Sequence, residues 1–286
     1  MTDVTLENNG VRLAASVYGP AHGDPLLFLH GMSLSRDTWG EIALRLMDRY
    51  RVWTLDFRGH GHSDRAPTYE LRDFLSDAET VLAAIGRPTI IVGHSLGGCV
   101  AGLLGQSGDP KVRAIFLEDP PWYCGELSEW EKTVFPKVFT LVSAAQAKWQ
   151  GEKAPLTTYL DFLANSPTPM GGIGSDHYGP RHLLSHASAL QRLDVRCWAS
   201  FAGQACAQTL SAIPTALAFK SPALLIQADP RLGPAFLDGH EIRLKKTNPE
   251  METVRYDGSG HTPHRSLAFE ERYIRDLLTF VARISA

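Results

Sequence analysis

Thr89-Ile90-Ile91-Val92-Gly93-His94-Ser95-Leu96-Gly97-Gly98 is the stretch that decides how the rest of this 286-residue chain is read. Its first four residues are apolar or β-branched, the composition of a buried strand. Past Gly98, the residues Cys99, Val100 and Ala101 begin a helical apolar pattern built from small side chains. Gly93-x-Ser95-x-Gly97 therefore places a serine where a strand turns into a helix. A turn of this kind is tight enough to need glycine on either side, and it holds the hydroxyl up at the carboxyl end of the strand as a nucleophile elbow. The following amide, on Leu96, stands at a helix N-terminus, where its N–H can donate to a developing oxyanion.

Two further unbroken apolar runs precede the elbow. Residues 25–29 (PLLFL) end in His30-Gly31-Met32, and residues 51–55 (RVWTL) end in Asp56-Phe57-Arg58-Gly59-His60-Gly61-His62-Ser63. Runs without polar alternation belong to strands covered on both faces. Between them Trp39, Ile42, Ala43, Leu46 and Met47 recur at helical spacing. Leu71, Phe74, Leu75, Ala78, Val81, Leu82 and Ile85 do so again, until Gly86 and Pro88 stop that helix. Strands alternating with helices in this way predict a parallel sheet with helices on both sides. At the N-terminus, residues 4–6 and 11–18 flank Asn8-Asn9-Gly10, a hairpin signal, and Val11, Leu13, Ala15 and Val17 alternate as antiparallel edge strands do.

Beyond the elbow, residues 112–118 (VRAIFLE) read as another core strand, stopped by Asp119-Pro120-Pro121. From 122 to 213 the pattern changes to helical segments broken by Pro and Gly, notably SPTPMGG at 166–172. Strand patterns return at 223–227 and 252–256, and an amphipathic helix from Leu267 to about Ile284 closes the chain. The expected division is a core of residues 1–121 and 214–286, interrupted by a helical cap subdomain at 122–213.

Three motifs now stand in order: His30-Gly31, then Asp56-x-Arg58-Gly59-x-Gly61-x-Ser63-Asp64, then Gly93-His94-Ser95-Leu96-Gly97-Gly98. In sequence and spacing the chain resembles the α/β-hydrolase superfamily over about its first 120 and last 65 residues. The resemblance implies an α/β fold, with a mostly parallel central sheet flanked by helices and an inserted helical cap. It implies catalysis without cofactor or metal, with Ser95 as nucleophile. The family's base sits at a Gly-x-Gly-His position, here Gly258-Ser259-Gly260-His261, so His261 is the expected base and His264 a polar surface or supporting histidine. The Met32 amide, after His30-Gly31, is the expected second oxyanion donor beside Leu96. Asp56 and Arg58 are expected to pair and hold a structural loop that contains His60 and His62.

The family's acid usually lies a few residues beyond the strand corresponding to 223–227. There the chain reads Ala228-Asp229-Pro230-Arg231, which puts an arginine at the acid's place and Asp229 two residues early. A cation cannot orient an imidazolium. Some members, including lactone hydrolases, carry the acid after the strand that follows the nucleophile helix, and Asp119 holds that place. Asp119 is therefore the favoured acid and Asp229 the alternative.

A serine at the elbow attacks acyl carbon, whereas members with an aspartate there displace carbon leaving groups. The resemblance thus implies hydrolysis of a carboxylic ester or lactone. The cap aromatics Trp122, Tyr123, Trp130, Trp149, Tyr159, Phe162, Tyr178 and Trp198 offer surface for a bulky apolar substrate, with Trp122 expected to touch it because it lies three residues past Asp119. Two alternatives stay open: hydrolysis of a carbon–carbon bond in a β-diketone-like substrate, and a ligand receptor without turnover on the same fold.

Composition limits the partners. A formal net charge of -3 with no basic block argues against a nucleic-acid or anionic-membrane surface. No run approaches the ~20 apolar residues of a membrane span, and no basic-then-apolar leader opens the chain, so a cytoplasmic location is expected. Cys99, Cys124, Cys197 and Cys206 have neither zinc-site nor disulfide-framework spacing. His177, His182 and His186 share no helix face apart from 182 and 186, and no metal is expected there. The expected partner is a small apolar ester or lactone, and a homodimer is compatible with this composition.

Overall fold

A computed structural model describes residues 1–285. Ala286, at which the second core segment is expected to end, lies outside the described residues. The first half of the chain runs β1 (Thr2–Asn8), β2 (Val11–Tyr18), β3 (Asp24–Leu29), α1 (Gly40–Leu46), β4 (Tyr50–Leu55), α2 (Leu71–Ile85), β5 (Thr89–His94), α3 (Leu96–Ser107) and β6 (Val112–Glu118). Six helices follow before the next strand: α4 (Leu127–Trp130), α5 (Phe135–Gly151), α6 (Leu156–Asn165), α7 (Gly174–His177), α8 (Pro180–Arg192) and α9 (Gln204–Leu210). The chain then returns through β7 (Ala223–Ala228), α10 (His240–Thr247), β8 (Glu252–Tyr256) and α11 (Glu270–Ser285).

The strands form one eight-stranded sheet in the order β1-β2-β4-β3-β5-β6-β7-β8. Strands β3 to β8 run parallel, while β1 pairs antiparallel with β2 and β2 antiparallel with β4. The β1–β2 turn is built as its residues require, with Asn9 and Gly10 both at positive φ (52° and 79°). The unbroken apolar runs have a simple cause. Successive side chains of a strand point to opposite faces, and both faces here are covered. Leu27, Leu29, Ile91, Ile115 and Leu117 pack on the side of α2 and α3. Leu26, Phe28, Ile90, Val92, Ala114 and Phe116 pack on the side of α1 and α11.

Two expectations are corrected. Asp56 and Arg58 do not pair with each other. Asp56 accepts the amides of Arg36 (2.7 Å) and His62 (2.9 Å), while Arg58 forks onto Asp77 of α2, with Nη2 2.6 Å from Oδ1. The loop is held as foreseen, but by ties to two different neighbours. The closing helix starts at Glu270 rather than Leu267, because a 3-10 turn at Pro263–Arg265 comes first and Ser266 O accepts both the Phe269 and Glu270 amides.

The segment between β6 and β7 is tied to itself and to the sheet by buried polar bonds. Gln146 of α5 donates to the carbonyls of Leu190 (2.8 Å) and Leu193 (2.9 Å), closing α5 on α8. Tyr69 donates to Asp194 (2.6 Å), and the Asp194 amide donates to Gly59 O. Among the described residues, no helix is long and apolar enough to cross a membrane.

Candidate active site

Strand β5 delivers Ser95 directly into α3. Ser95 sits at φ 53°, ψ -116°, a region that costs a non-glycine residue of order 1–3 kcal/mol and persists only where neighbours impose it. The neighbours are backbone. The Ser95 amide donates to Glu118 O (2.9 Å) and the Gly97 amide to His30 O (3.1 Å). The flanking glycines follow from closeness: a Cβ on Gly93 would lie 2.2 Å from Gly97 O, and one on Gly97 would lie 2.2 Å from Leu29 O.

His261 follows β8 in the glycine-rich loop, and its Nδ1 stands 2.6 Å from Asp119 Oδ2. Asp119 is fully buried, just past β6, and is itself at positive φ (43°). Its carboxylate also accepts the amides of Ala235 (2.8 Å to Oδ2) and Phe236 (3.2 Å to Oδ1), so three donors converge on it. Asp229 faces elsewhere. It forks onto Arg231 (2.9 and 2.7 Å) and accepts the Gly258 amide, and the Arg231 guanidinium holds it far below the usual carboxylate range.

Ser95 and His261 line one cavity of ≈270 Å³, with no hydrogen bond between their side chains among the described residues. The nucleophile–base contact is commonly loose in a free enzyme and tightens with substrate. Met32, Ser95 and Leu96 also line a narrow side pocket of ≈20 Å³. Neither the Met32 nor the Leu96 amide donates to another backbone group among the described residues, which leaves both available at Ser95.

The cavity wall differs from the expected one. Trp122 is a correction: it is 1% exposed, packs edge-on against Phe219 and lies against α3, where a Cβ on Gly102 would be 2.2 Å from its ring. A glycine on α3 makes a slot that the indole fills, so Trp122 joins the core rather than the cavity. Tyr178 and Trp130 do reach the cavity or its side pocket. The principal aromatic wall is Phe135 and Phe139, with Phe135 edge-on to His261 at 4.7 Å between ring centres. Sequence reasoning passed over this pair. Their i, i+4 spacing on α5 is the signal that puts both on one helix face.

Behind the site lies a second histidine–carboxylate pair, His264 with Glu118, which fits the supporting alternative for His264 and not the surface one. His264 is not at the surface but fully buried, stacked on Trp39 at 4.2 Å. Its Nδ1 is 2.8 Å from Glu118 Oε1 and its Nε2 3.0 Å from Thr38 Oγ1. Burial pushes Glu118 well above the carboxylate range and His264 well below the imidazole range, each toward its neutral form. His94, beside His261, is likewise driven well below its ordinary value by burial and by His261, and its Nε2 lies 3.1 Å from His261 O. His94, Glu118 and His264 form the one group of potential metal ligands found among the described residues. Both nitrogens of His264 are already hydrogen-bonded, while His94 Nδ1 and Glu118 Oε2 are buried without a hydrogen-bond partner among the described residues. The histidines 177, 182 and 186 do not converge: His177 bonds Gly171 O, His182 faces Glu270, and His186 lines the cavity. All four cysteines are free and buried.

Comparison with known proteins places this geometry in context. Residues 26–272 match the sequence model described as the alpha/beta hydrolase family. A serine hydrolase-like protein of Danio rerio is 33% identical over 111 residues, spanning 37% of this chain and 34% of the relative, so that match covers about a third of the relative's length. A serine hydrolase-like protein of Homo sapiens is 31% identical over 162 residues, spanning 55% of this chain and 80% of the relative. Among solved structures, a protein from Burkholderia cenocepacia assigned as an aryl esterase superimposes with a TM-score of 0.72 at 25% identity, covering 99% of both chains.

Proposed function

The chain belongs to the alpha/beta hydrolase family, and from that premise we propose that it hydrolyses a carboxylic ester or lactone of a bulky, largely apolar substrate through Ser95, His261 and Asp119. The observation that carries this reading is the 2.6 Å contact of buried Asp119 with His261, which lines the same cavity as Ser95. In the proposed mechanism His261 takes the Ser95 proton as Oγ attacks the acyl carbon, and Asp119 holds the ring and stabilises the imidazolium. The amides of Met32 and Leu96 receive the oxyanion, and a preorganised donor of this kind is worth ~3 kcal/mol in the transition state. His261 then protonates the leaving alcohol, and a water repeats the sequence on the acyl-enzyme. Phe135, Phe139, Leu163 and Met170 make the wall apolar, and the helical segment between β6 and β7 serves as the cap over it.

The partner we propose is a small molecule. We place the protein in the cytoplasm on the strength of its four free, buried cysteines, and fractionation that recovers it only outside the cell would reject that placement. The test of function is turnover of p-nitrophenyl esters beside Ser95→Ala, with a fluorophosphonate probe reporting the nucleophile. Steady turnover and labelling are expected in the native protein, and a loss of kcat of roughly 10⁴- to 10⁶-fold in the variant. Retention of more than a tenth of the rate removes Ser95 from its role. A burst without turnover points to a receptor, and cleavage of a β-diketone in preference to esters points to carbon–carbon hydrolysis.

A further inference from the structure

Arg265 lines the same cavity as Ser95 and His261, yet it is only 3% exposed. It is the one Lys or Arg among the cavity's described lining residues, and no Asp or Glu stands among them. Its donors are poorly used. Nη2 donates to His182 O at 2.8 Å, Nη1 lies 3.4 Å from His186 Nδ1, and Nε is buried with no partner. The Tyr178 ring lies 5.3 Å from the guanidinium carbon, a favourable but weak neighbour for a cation. Burial pulls the guanidinium down to about 10, which leaves it charged at neutral pH.

A desolvated charge without a counterion is costly, and proteins keep one where an anion arrives. The nearby Glu118 is not that anion. It is engaged by the amide and ring of His264, and burial drives it toward its neutral form. The guanidinium therefore keeps Nη donors to spare beside the cavity that Arg265 lines, while the partnerless Nε marks how incompletely its charge is compensated. The neighbouring polar groups suit a second role in the same place: Ser33 Oγ is 3.4 Å from His186 Nε2, and Thr262 donates to Tyr178 Oη at 3.0 Å. Ser33 follows Met32 and Thr262 follows His261, so this polar end adjoins the groups proposed to do chemistry, while Phe135 and Phe139 supply the apolar wall.

We propose that Arg265 is a carboxylate anchor, so that the substrate is an ester or lactone carrying a carboxylate group besides the bond that is cut. A carboxylate is favoured over a phosphate because one guanidinium balances one charge, and a dianion at this depth keeps the second uncompensated. The anchor rests on the ester-hydrolase reading above for its chemistry, but it is read separately.

The experiment compares two esters of equal chain length, p-nitrophenyl valerate and the mono-p-nitrophenyl ester of glutaric acid, on the native protein, Arg265→Gln and Arg265→Lys. The native protein is expected to favour the glutarate ester about 10- to 100-fold in kcat/KM, chiefly through KM, as a charged hydrogen-bonded contact allows. Arg265→Gln removes that preference, and Arg265→Lys, which keeps charge without the planar fork, restores part of it. A native ratio at or below one, or a ratio unchanged in Arg265→Gln, overturns the anchor while leaving the hydrolase reading intact. Should Arg265→Gln not fold, the native protein still decides: glutarate must inhibit valerate-ester hydrolysis competitively and more strongly than glutaramide, and equal inhibition overturns the anchor. Should neither ester turn over, the hydrolase reading fails, and glutarate-dependent thermal stabilisation of the native protein still tests the anchor, its absence counting against it.

Discussion

Asp119 Oδ2 and His261 Nδ1 lie 2.6 Å apart, although the two residues are 142 positions apart in the chain. The carboxylate ends one strand, β6, and the imidazole follows another, β8, with β7 between them in the sheet. In the proposed mechanism Asp119→Asn removes the charge that would stabilise the imidazolium, and an amide turned toward the ring would also select the wrong tautomer. The expected loss in kcat is ~10⁴-fold. Asp229→Asn is expected to keep most of the rate, since its partners are Arg231 and the Gly258 amide. Both variants are measured on one ester with circular dichroism as a folding control, and collapse of Asp229→Asn beside near-normal Asp119→Asn reverses the assignment.

Trp122→Leu tests whether the indole is core or cavity. Filling the slot over Gly102, it is expected to lose a few kcal/mol of stability, at the lower end of the range for emptying a large aromatic site. KM for apolar esters should stay within about twofold, since the side chain is 1% exposed. Thermal melts and KM are read on the same preparation; a tenfold rise in KM without a fall in melting temperature would return Trp122 to the cavity.

Acid should destabilise the fold through its buried histidines. Burial lowers His60 from 6.5 to about 4, and its Nε2 has no partner. Its folded value lies below its unfolded value, so between those two pH values the unfolded chain binds a proton that the native state refuses. Stability is therefore lost as pH falls through that window, by ~3 kcal/mol across all of it for this residue. His30, His94, His186 and His264 are shifted the same way. Asp56, which burial raises to about 6, and Glu118 and Glu79, which burial also raises, act in the opposite sense, becoming easier to bury as pH falls. The five histidines outnumber these three carboxylates. Urea midpoints at pH 7.5 and 5 should differ by less in His60→Gln than in the native protein, and identical differences would reject the contribution of His60.

Prolonged chelation should leave the rate unchanged. The one ligand-like group among the described residues, His94, Glu118 and His264, already has its His264 nitrogens bonded to Glu118 and Thr38. A fall in rate with EDTA that zinc reverses would show that this cluster opens to a metal.

What the sequence makes legible, and what it hides, follows from the range of the interactions. The strands are readable because both faces of the sheet demand apolar residues, so 25–29 and 89–92 announce themselves without any partner being known. The elbow is readable because Gly93 and Gly97 have backbone within 2.2 Å of where a side chain would begin. Arg58 with Asp77, by contrast, joins a loop to a helix, and no local pattern distinguishes Asp77 from Asp56 as its partner. Helix α10 went unremarked for a related reason: its eight residues bury only His240 and Leu244, too few to print a periodicity. Arg265 looks in sequence like any surface arginine, and its burial depends on α8 arriving from the segment between β6 and β7.

The carboxylate of Asp119 is gripped by amides at 235 and 236 as well as by His261, so its position is settled only when the ends of β6, β7 and β8 have all arrived. Refolding from denaturant should accordingly separate two clocks. Helical ellipticity is expected to recover with local structure, while the proposed ester turnover would wait for contacts that close a loop of more than a hundred residues. The proposed activity would thus serve as a late-folding reporter, silent in any intermediate that has its helices but has not yet zipped the far half of its sheet.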